Sequence, residues 1–126
     1  MWICTQDGFF SFTRIPSTPD KSQIRARSER HLMNLKATVR SAYGVVDRAV
    51  SDEIDKAEII QKPHGDYKHR ILVTPEAVSQ ITNLYGQLAT YDNFKDAVSV
   101  SQQSSDDDAY YTFLNSVWSL GFGMED

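Results

Sequence analysis

Short runs of aromatic and β-branched residues predict β-strands near the start of the chain. Residues 2–5 and 9–15 have this composition, which favours pleated structure, and the Asp-Gly pair between them is a strong hairpin signal. Residues 16–21 contain two prolines and are predicted to form a loop. Residues 23–27 alternate strictly between apolar and polar side chains, so a third strand with two unlike sides follows.

Apolar residues at helical spacing predict two helices, one on each side of a second hairpin. Ser28 is a suitable N-cap for the first helix, and Thr74 followed by Pro75 starts the second. Between them, residues 57–61 and 67–73 are predicted strands, joined by a turn at 62–66. The core-facing stripes are Leu32, Leu35, Val39 and Ala42 in the first helix and Val78, Ile81, Leu84, Tyr85 and Leu88 in the second.

Two segments, 45–56 and 99–105, are assigned as loops or insertions. In the first, apolar pairs stand among charged residues, a pattern that fits a short helix and a solvated loop equally well. Residues 91–98 are predicted to form a turn and a short helix. Ser105 is the predicted cap of a last helix, whose first acidic residues suit the helix dipole. The residues concerned are Asp106, Asp107 and Asp108, and the buried stripe that follows is Tyr110, Phe113, Leu114, Val117 and Leu120.

This order of elements predicts a single α+β domain that covers residues 1–126. Strands separated by helices and hairpin turns favour an antiparallel sheet of about five strands with helices on one face. The central β-α-β-β-α pattern is ferredoxin-like, with an extra N-terminal strand and an extra C-terminal helix. A chain of this length also suits one hydrophobic core better than two.

Charge and composition narrow the functional class. The net charge of −4 argues against a protein that coats nucleic acid by bulk charge, because such domains are usually basic. The single cysteine, Cys4, excludes an intramolecular disulfide and fits a reducing compartment. The chain starts without a secretory signal pattern, and no apolar run approaches the ~18 residues that span a bilayer. A cytoplasmic location without a membrane partner is therefore expected.

Cations on the predicted strands form the first candidate binding site. Each of two predicted strands carries two cationic side chains on one side. If both of these sides belong to the sheet face without helices, four cations line that face. Two phenylalanines on a third strand are candidates to lie beside these cations. RNA-binding folds use such a face to stack bases and hold phosphates. A solvated face, or one buried against a second copy, explains the same pattern. The residues are Phe10, Phe12, Arg25, Arg27, Lys68 and Arg70.

Residues 91–95 form the second candidate. A structural role is the first interpretation, because Asn93 is suited to bond backbone groups and Phe94 to fill the core. The alternative is a binding role for Tyr91, Asn93 and Lys95, since loops held on a rigid scaffold often carry function.

No constellation of residues indicates catalysis, a metal or a cofactor. His64, Asp66 and His69 lie in and just beyond a turn, but a zinc site needs further strong ligands. Consecutive aspartates at 106–108 point in different directions at a helix start. Cys4 stands among apolar neighbours, where cysteine commonly serves as a small core residue. The sequence therefore predicts no catalytic residue, no metal ligand and no cofactor, and favours a protein that is not an enzyme.

Several short stretches form a recognisable set that runs from one end of the chain to the other. They are Met1-Trp2-Ile3, Gly8-Phe9-Phe10-Ser11, Arg25-Ala26-Arg27, Gly65-Asp66-Tyr67 with Arg70-Ile71, Tyr91-Asp92-Asn93-Phe94-Lys95-Asp96-Ala97-Val98 and Val117-Trp118-Ser119. This set resembles a family of small bacterial and phage proteins to which no activity is assigned. Its most specific part is the Asn-Phe-Lys stretch, and residues 45–55 look like an insertion. The resemblance implies a compact α+β fold and no particular activity.

Three functional hypotheses follow. The leading one is a non-enzymatic binding module that acts through a sheet face, with a protein partner or a second copy. The first alternative is a domain that binds RNA or single-stranded nucleic acid. The second is a small enzyme acting on a phosphorylated or nucleotide ligand.

Overall fold

The computed structural model describes residues 1–101 and 108–125. The chain divides into two compact units, Met1–Thr90 and Tyr91–Asp126, called here the N-terminal and C-terminal units. The strands are β1 (Trp2–Thr5), β2 (Gly8–Ile15), β3 (Thr18–Ala26), β4 (Ile60–Gln61) and β5 (His69–Val73). The helices are α1 (Glu29–Ser41), α2 (Arg48–Lys56), α3 (Pro75–Leu88), α4 (Phe94–Ser101) and α5 (Asp108–Gly121), and a 3-10 turn covers Phe122–Met124.

The strands of the N-terminal unit form one antiparallel sheet in the order β1-β2-β3-β5-β4. The predicted α+β class and the antiparallel sheet of five strands are confirmed, whereas the ferredoxin-like topology stays a prediction. The predicted loop at 16–21 is wrong, because a two-residue turn at Pro16 and Ser17 joins β2 to β3. The register shifts between Arg14 and Ile15. Such irregular pairing tolerates Pro19, which has no N–H to donate.

One face of the sheet packs beneath α1, α2 and α3 and forms the core. Phe12, Ile24 and Ile71 lie side by side on neighbouring strands and are buried in it. The prediction that Phe10 and Phe12 join the basic side chains is wrong, since both are buried in this core. The register shift between Arg14 and Ile15 pairs Phe12 with Ile24, and residues paired across a ladder share a face. The two aromatic side chains therefore follow Ile24 inward.

Helix α2 occupies most of residues 45–56, so of the two alternatives for this segment the structure has the short helix rather than the solvated loop. Val50 and Ile54, four residues apart, are buried in the core. Asp47 caps the helix, because its Oδ1 accepts a hydrogen bond from the Val50 N–H at 2.8 Å. The helical spacing of these two residues is the signal that their charged neighbours obscure.

The starts of α1 and α3 lie where the sequence predicts them. Thr74 caps α3, as its Oγ1 accepts a hydrogen bond from the Ala77 N–H at 3.3 Å. The Thr74 hydroxyl donates in turn to the Glu53 carboxylate at 2.7 Å, which ties α2 to α3. Ser28 precedes α1, but its side chain makes no capping hydrogen bond. In the predicted stripe of α3, Leu88 is exposed at the end of the helix.

Helix α5 in the C-terminal unit only partly follows its predicted stripe. Tyr110 and Leu114 are buried, as predicted. Phe113, Val117 and Leu120 are exposed, and the exposed fraction rises to 76% at Leu120. The apolar spacing therefore predicts the helix correctly but overestimates how much of it is covered.

The connection between α4 and α5 is described only in part. The predicted loop at 99–105 is helical as far as Ser101. The predicted cap Ser105, with Asp106 and Asp107, lies outside the described residues. Across the described ranges, no helix is both long and apolar enough to cross a membrane.

Candidate functional site

The reverse face of the sheet, opposite the core, is where candidate cations meet. Arg25 lies opposite Ser11 on β2 and opposite Arg70 on β5. Because paired residues share a face, the structure places Arg25 and Arg70 on the same side. Arg25 Nη2 donates to Ser11 Oγ at 2.8 Å, and Arg70 Nη1 donates to Gln23 Oε1 at 3.0 Å. Both guanidinium groups are therefore held by polar neighbours on the sheet.

Arg25, Arg27 and Arg70 gather around Tyr67, and these four residues are called here the arginine cluster. The guanidinium carbon of Arg25 lies 4.7 Å from the centroid of the Tyr67 ring, and that of Arg27 lies 4.5 Å from it. A cation–π contact of this kind stabilises by about 0.5–2 kcal/mol. Tyr67 is only 4% exposed. Its ring is thus a platform that positions two guanidinium groups.

The backbone that presents Tyr67 is strained. Its φ of +56° lies in the left-handed region, which is unusual for a bulky residue and costs about 1–2 kcal/mol. Arg70 holds this backbone, because its Nη2 donates to the carbonyl of Tyr67 at 3.2 Å and to that of Asp66 at 3.4 Å. Residues in such conformations persist where their surroundings hold them, and they concentrate at functional sites.

Two buried donors in the arginine cluster find no acceptor among the residues that the structure describes. The Nε atoms of Arg25 and Arg70 are buried, and no hydrogen-bond acceptor for them is found among the described residues. A buried donor without a partner costs about 1–3 kcal/mol. The cluster therefore combines backbone strain and unsatisfied donors in one place, and selection for stability alone would favour neither.

The charge around the cluster is positive. Arg27 Nη2 lies 3.1 Å from Asp66 Oδ1, and these side chains are 62% and 68% exposed. Lys68, the residue after Tyr67 in the chain, is exposed. The N-terminal unit holds 12 of the 13 Lys and Arg residues and 10 of the 17 acids, a net charge of +2, whereas the C-terminal unit carries −6. The negative net charge of the whole chain therefore does not describe the N-terminal unit, which contains the arginine cluster and has a positive net charge.

A row of aromatic rings crosses the reverse face toward the cluster. The Trp2 and Phe9 ring centroids are 5.9 Å apart, and those of Phe9 and Tyr67 are 6.2 Å apart. Trp2 is 73% exposed, whereas Phe9 and Tyr67 are buried. Of these three rings, only Trp2 offers a surface to a ligand.

Cys4 pairs with Phe9 in the β1–β2 ladder, so it faces the reverse side of the sheet. Burial raises the pKa of the Cys4 thiol. Because the thiolate is the reactive form, we expect Cys4 to react with a disulfide reagent at pH 7 more slowly than free cysteine does. The rate should rise with pH and reach the free-cysteine rate after denaturation. A native rate at pH 7 equal to that of free cysteine would contradict this expectation.

The candidate residues of the C-terminal unit make local structural contacts. Asn93 Oδ1 accepts a hydrogen bond from the Asp96 N–H at 3.1 Å, at the start of α4. The Tyr91 and Phe94 rings lie 5.4 Å apart. Lys95 Nζ donates to Asn115 Oδ1 at 3.2 Å and lies 4.3 Å from the Trp118 ring centroid. The Asn93 contact matches the structural interpretation of residues 91–95, whereas Phe94 is only half-buried. The binding role stays a prediction.

The histidines and Asp66 near the second hairpin do not converge. His69 lies opposite Ala26 and therefore faces the core side, whereas Asp66 contacts Arg27 and His64 is exposed. In the part of the chain that the structure describes, no group of three His, Cys, Asp or Glu side chains could hold a metal ion.

Sequence reasoning missed Tyr67 as the centre of the site. The alternation of residues 67–73 assigns it to the start of a strand, but β5 begins at His69. A positive φ at a tyrosine has no sequence signal, because glycine and asparagine are the residues that usually mark it. The Gly65-Asp66 turn beside it is the one clue that the chain bends there.

Comparison with models of protein families, with curated proteins and with solved structures finds no match for this chain. The resemblance to small bacterial and phage proteins therefore stays a prediction.

Proposed function

We propose that this protein is a non-enzymatic interaction module that binds a protein partner through the reverse face of its sheet. The observation that carries the proposal is the convergence of Arg25, Arg27 and Arg70 on one strained, buried tyrosine. Arginine and tyrosine dominate the energetic centres of protein interfaces. Guanidinium groups held in place before binding lose little side-chain entropy when a partner arrives.

Unmet hydrogen-bonding capacity supports an interaction role for this face. Two features of this face lower the stability of the fold. They are the Nε donors of Arg25 and Arg70, which have no partner among the described residues, and the left-handed backbone of Tyr67. Natural proteins concentrate such features at functional sites. The buried Nε atoms are closed to a partner in this arrangement, so a partner that supplies negative charge would bind through the exposed guanidinium group of Arg27.

Nucleic-acid binding is favoured less than a protein partner. Base recognition on a sheet needs exposed aromatic rings on which bases stack. The Tyr67 ring lies beneath the guanidinium groups of Arg25 and Arg27, and Phe9 is buried. Trp2 is the remaining ring of the row, and a single platform supports little stacking.

A symmetric homodimer through the arginine cluster is also disfavoured. A two-fold interface brings the same patch of both copies together, so Arg25, Arg27 and Arg70 would face their own equivalents. Like charges opposed across an interface cost several kcal/mol. A different and more acidic partner suits the cluster better than its own copy does.

Selection from a displayed library of random peptides tests the proposal. We expect the wild-type protein to enrich peptides that the double variant Arg25→Glu/Arg27→Glu fails to bind, because the substitution reverses the charge at the centre of the surface. Arg48→Glu/Lys56→Glu is the matched control. It makes the same change in net charge on exposed positions of α2, and it should retain the selected peptides.

Circular dichroism of both double variants distinguishes lost binding from lost folding. Enriched peptides that bind equally well to the Arg25→Glu/Arg27→Glu variant would place the binding surface elsewhere. No enrichment over a peptide-free control would refute the interaction role of this face. Selected ligands that are lost equally from both variants would show that only net charge matters.

A further inference from the structure

We infer that the arginine cluster recognises the carboxylate side chains of an acidic peptide segment, and that Asp66 occupies this site as an internal competitor when no partner is bound. This inference rests on the proposed function and adds the chemistry of the ligand and a means of regulating access. It assigns Asp66 a role in affinity rather than in stability.

The Arg27–Asp66 contact is the evidence that a carboxylate fits the cluster. Arg27 Nη2 and Asp66 Oδ1 are 3.1 Å apart, an ion pair slightly longer than a charge-assisted hydrogen bond of about 2.7–2.9 Å. The planar guanidinium fork matches carboxylate geometry. Arg27 is at the same time stacked on Tyr67, so its orientation is fixed before a ligand arrives. The Asp66 carboxylate shows where the first acidic side chain of a partner would lie.

The contact is weak enough to be displaced. Both side chains are more than 60% exposed, and exposed ion pairs contribute little to stability. A partner that brings several carboxylates can also engage Arg25 and Lys68. The Asp66 carboxylate forms its ion pair with Arg27, whereas the Asp66 contact with Arg70 is made by the backbone carbonyl. Displacement therefore exchanges one weak contact for several.

The Asp66 backbone keeps the competitor close to its site. Arg70 Nη2 donates to the Asp66 carbonyl at 3.4 Å and to the neighbouring Tyr67 carbonyl at 3.2 Å. The Asp66 carboxylate thus stays near Arg27 at a high effective concentration, as tethered groups do. A weak contact that is always present reduces the affinity for every acidic ligand, and its removal should raise that affinity.

Fluorescence anisotropy with a labelled oligoglutamate peptide tests the inference. Asp66→Asn keeps a residue suited to turns but removes the competing charge. We expect it to bind the peptide about three- to fivefold more tightly than the wild type, the most that relief of one exposed ion pair can give. Asp52→Asn, on the exposed surface of α2, changes the net charge equally and should alter affinity less than twofold.

Repeating the Asp66→Asn substitution in a protein that already carries Arg27→Gln shows whether Asp66 acts through Arg27. In the Arg27→Gln variant, Asp66→Asn should give no further gain, because the contact it relieves is already absent. An equal gain in the Asp52→Asn and Asp66→Asn variants, or an undiminished gain in the Arg27→Gln background, would overturn the competitor role.

Two further arms separate this inference from the proposed function. If displayed peptides depend on the arginine cluster but oligoglutamate does not bind, the carboxylate ligand is wrong and the interaction module stands. Tighter binding of a single-stranded oligouridylate than of oligoglutamate would assign the cluster to nucleic acid and overturn the inference. A sizing experiment with light scattering that shows a concentration-dependent dimer, abolished by Arg25→Glu/Arg27→Glu, would assign it to a second copy and also overturn it.

Discussion

Gly8→Ala is expected to destabilise the N-terminal unit by about 3 kcal/mol or more. A Cβ at this position would lie 2.3 Å from His31 Cγ and 2.5 Å from His31 Cβ. Overpacking of a filled site costs about 1–3 kcal/mol. The φ of Gly8 is +153°, a conformation that residues with a Cβ avoid at a cost of about 1–3 kcal/mol. The two effects add because neither relieves the other.

The close approach of α1 to this turn leaves the site little room to adjust. The neighbouring Asp7 accepts hydrogen bonds through Oδ2 from Thr38 Oγ1 at 2.6 Å and from the Tyr85 hydroxyl at 2.7 Å. Those two residues belong to α1 and α3, so the turn is attached to both helices. Backbone movement that made space for a methyl group at Gly8 would disturb these bonds.

Gly86→Ala provides a control with the opposite sign. Gly86 lies within α3, is exposed, and has open space around the position of an added Cβ. Alanine there should stabilise by about 0.5–1 kcal/mol, since glycine is a poor helix former. Urea unfolding followed by circular dichroism measures both variants. Equal unfolding midpoints for Gly8→Ala and the wild type would show that the turn and α1 are not as closely packed as described.

The types of element in the N-terminal unit could be predicted because local signals mark them. The Asp-Gly turn, the alternation around Ile24 and the Thr74-Pro75 helix start each depend on neighbouring residues alone. The α2 segment shows the limit of this approach. Val50 and Ile54 carry the helical spacing, but only their burial against the core distinguishes a helix from a solvated loop.

The composition of the candidate site could be predicted only in part, because it depends on register. The strict alternation of residues 23–27 is enough to place Arg25 and Arg27 on the opposite face of their strand from Ile24. The side on which Phe12 lies depends on how many residues join β2 to β3, and a loop at 16–21 leaves that register undefined. Continued from the Ile15–Thr18 pair beside the two-residue turn, the ladder would pair Phe12 with Lys21. The register shift between Arg14 and Ile15 instead pairs Phe12 with Ile24 and places it in the core. Tyr67 could not be found in this way, because its contacts arise from chain reversal between β4 and β5.

Stability and binding make different demands on the arginine cluster. The Tyr67 ring stabilises the fold by covering the sheet and stacking with two guanidinium groups. The strained backbone and the unpaired Nε donors oppose that contribution. Substitutions at Tyr67 should therefore separate what the ring contributes from what the hydroxyl group contributes, which substitutions at the arginines alone cannot do.

Tyr67→Ala is expected to destabilise the N-terminal unit by about 2–4 kcal/mol and to reduce binding of an acidic peptide at least tenfold. The stability loss follows from removal of a buried aromatic ring, and the binding loss follows because Arg25 and Arg27 lose their common platform. Tyr67→Phe should match the wild type within about 0.5 kcal/mol, since no hydrogen bond of the Tyr67 hydroxyl is found among the described residues and the ring remains.

Urea unfolding and peptide anisotropy at a temperature where both variants are folded provide the two measurements. Preserved peptide affinity in Tyr67→Ala, once folding is verified, would show that the guanidinium groups position themselves without the ring. A large loss of affinity in Tyr67→Phe would instead assign the contact with the ligand to the hydroxyl group. Only the combination of a harmful Tyr67→Ala and a silent Tyr67→Phe matches a tyrosine that acts by stacking beneath two arginines.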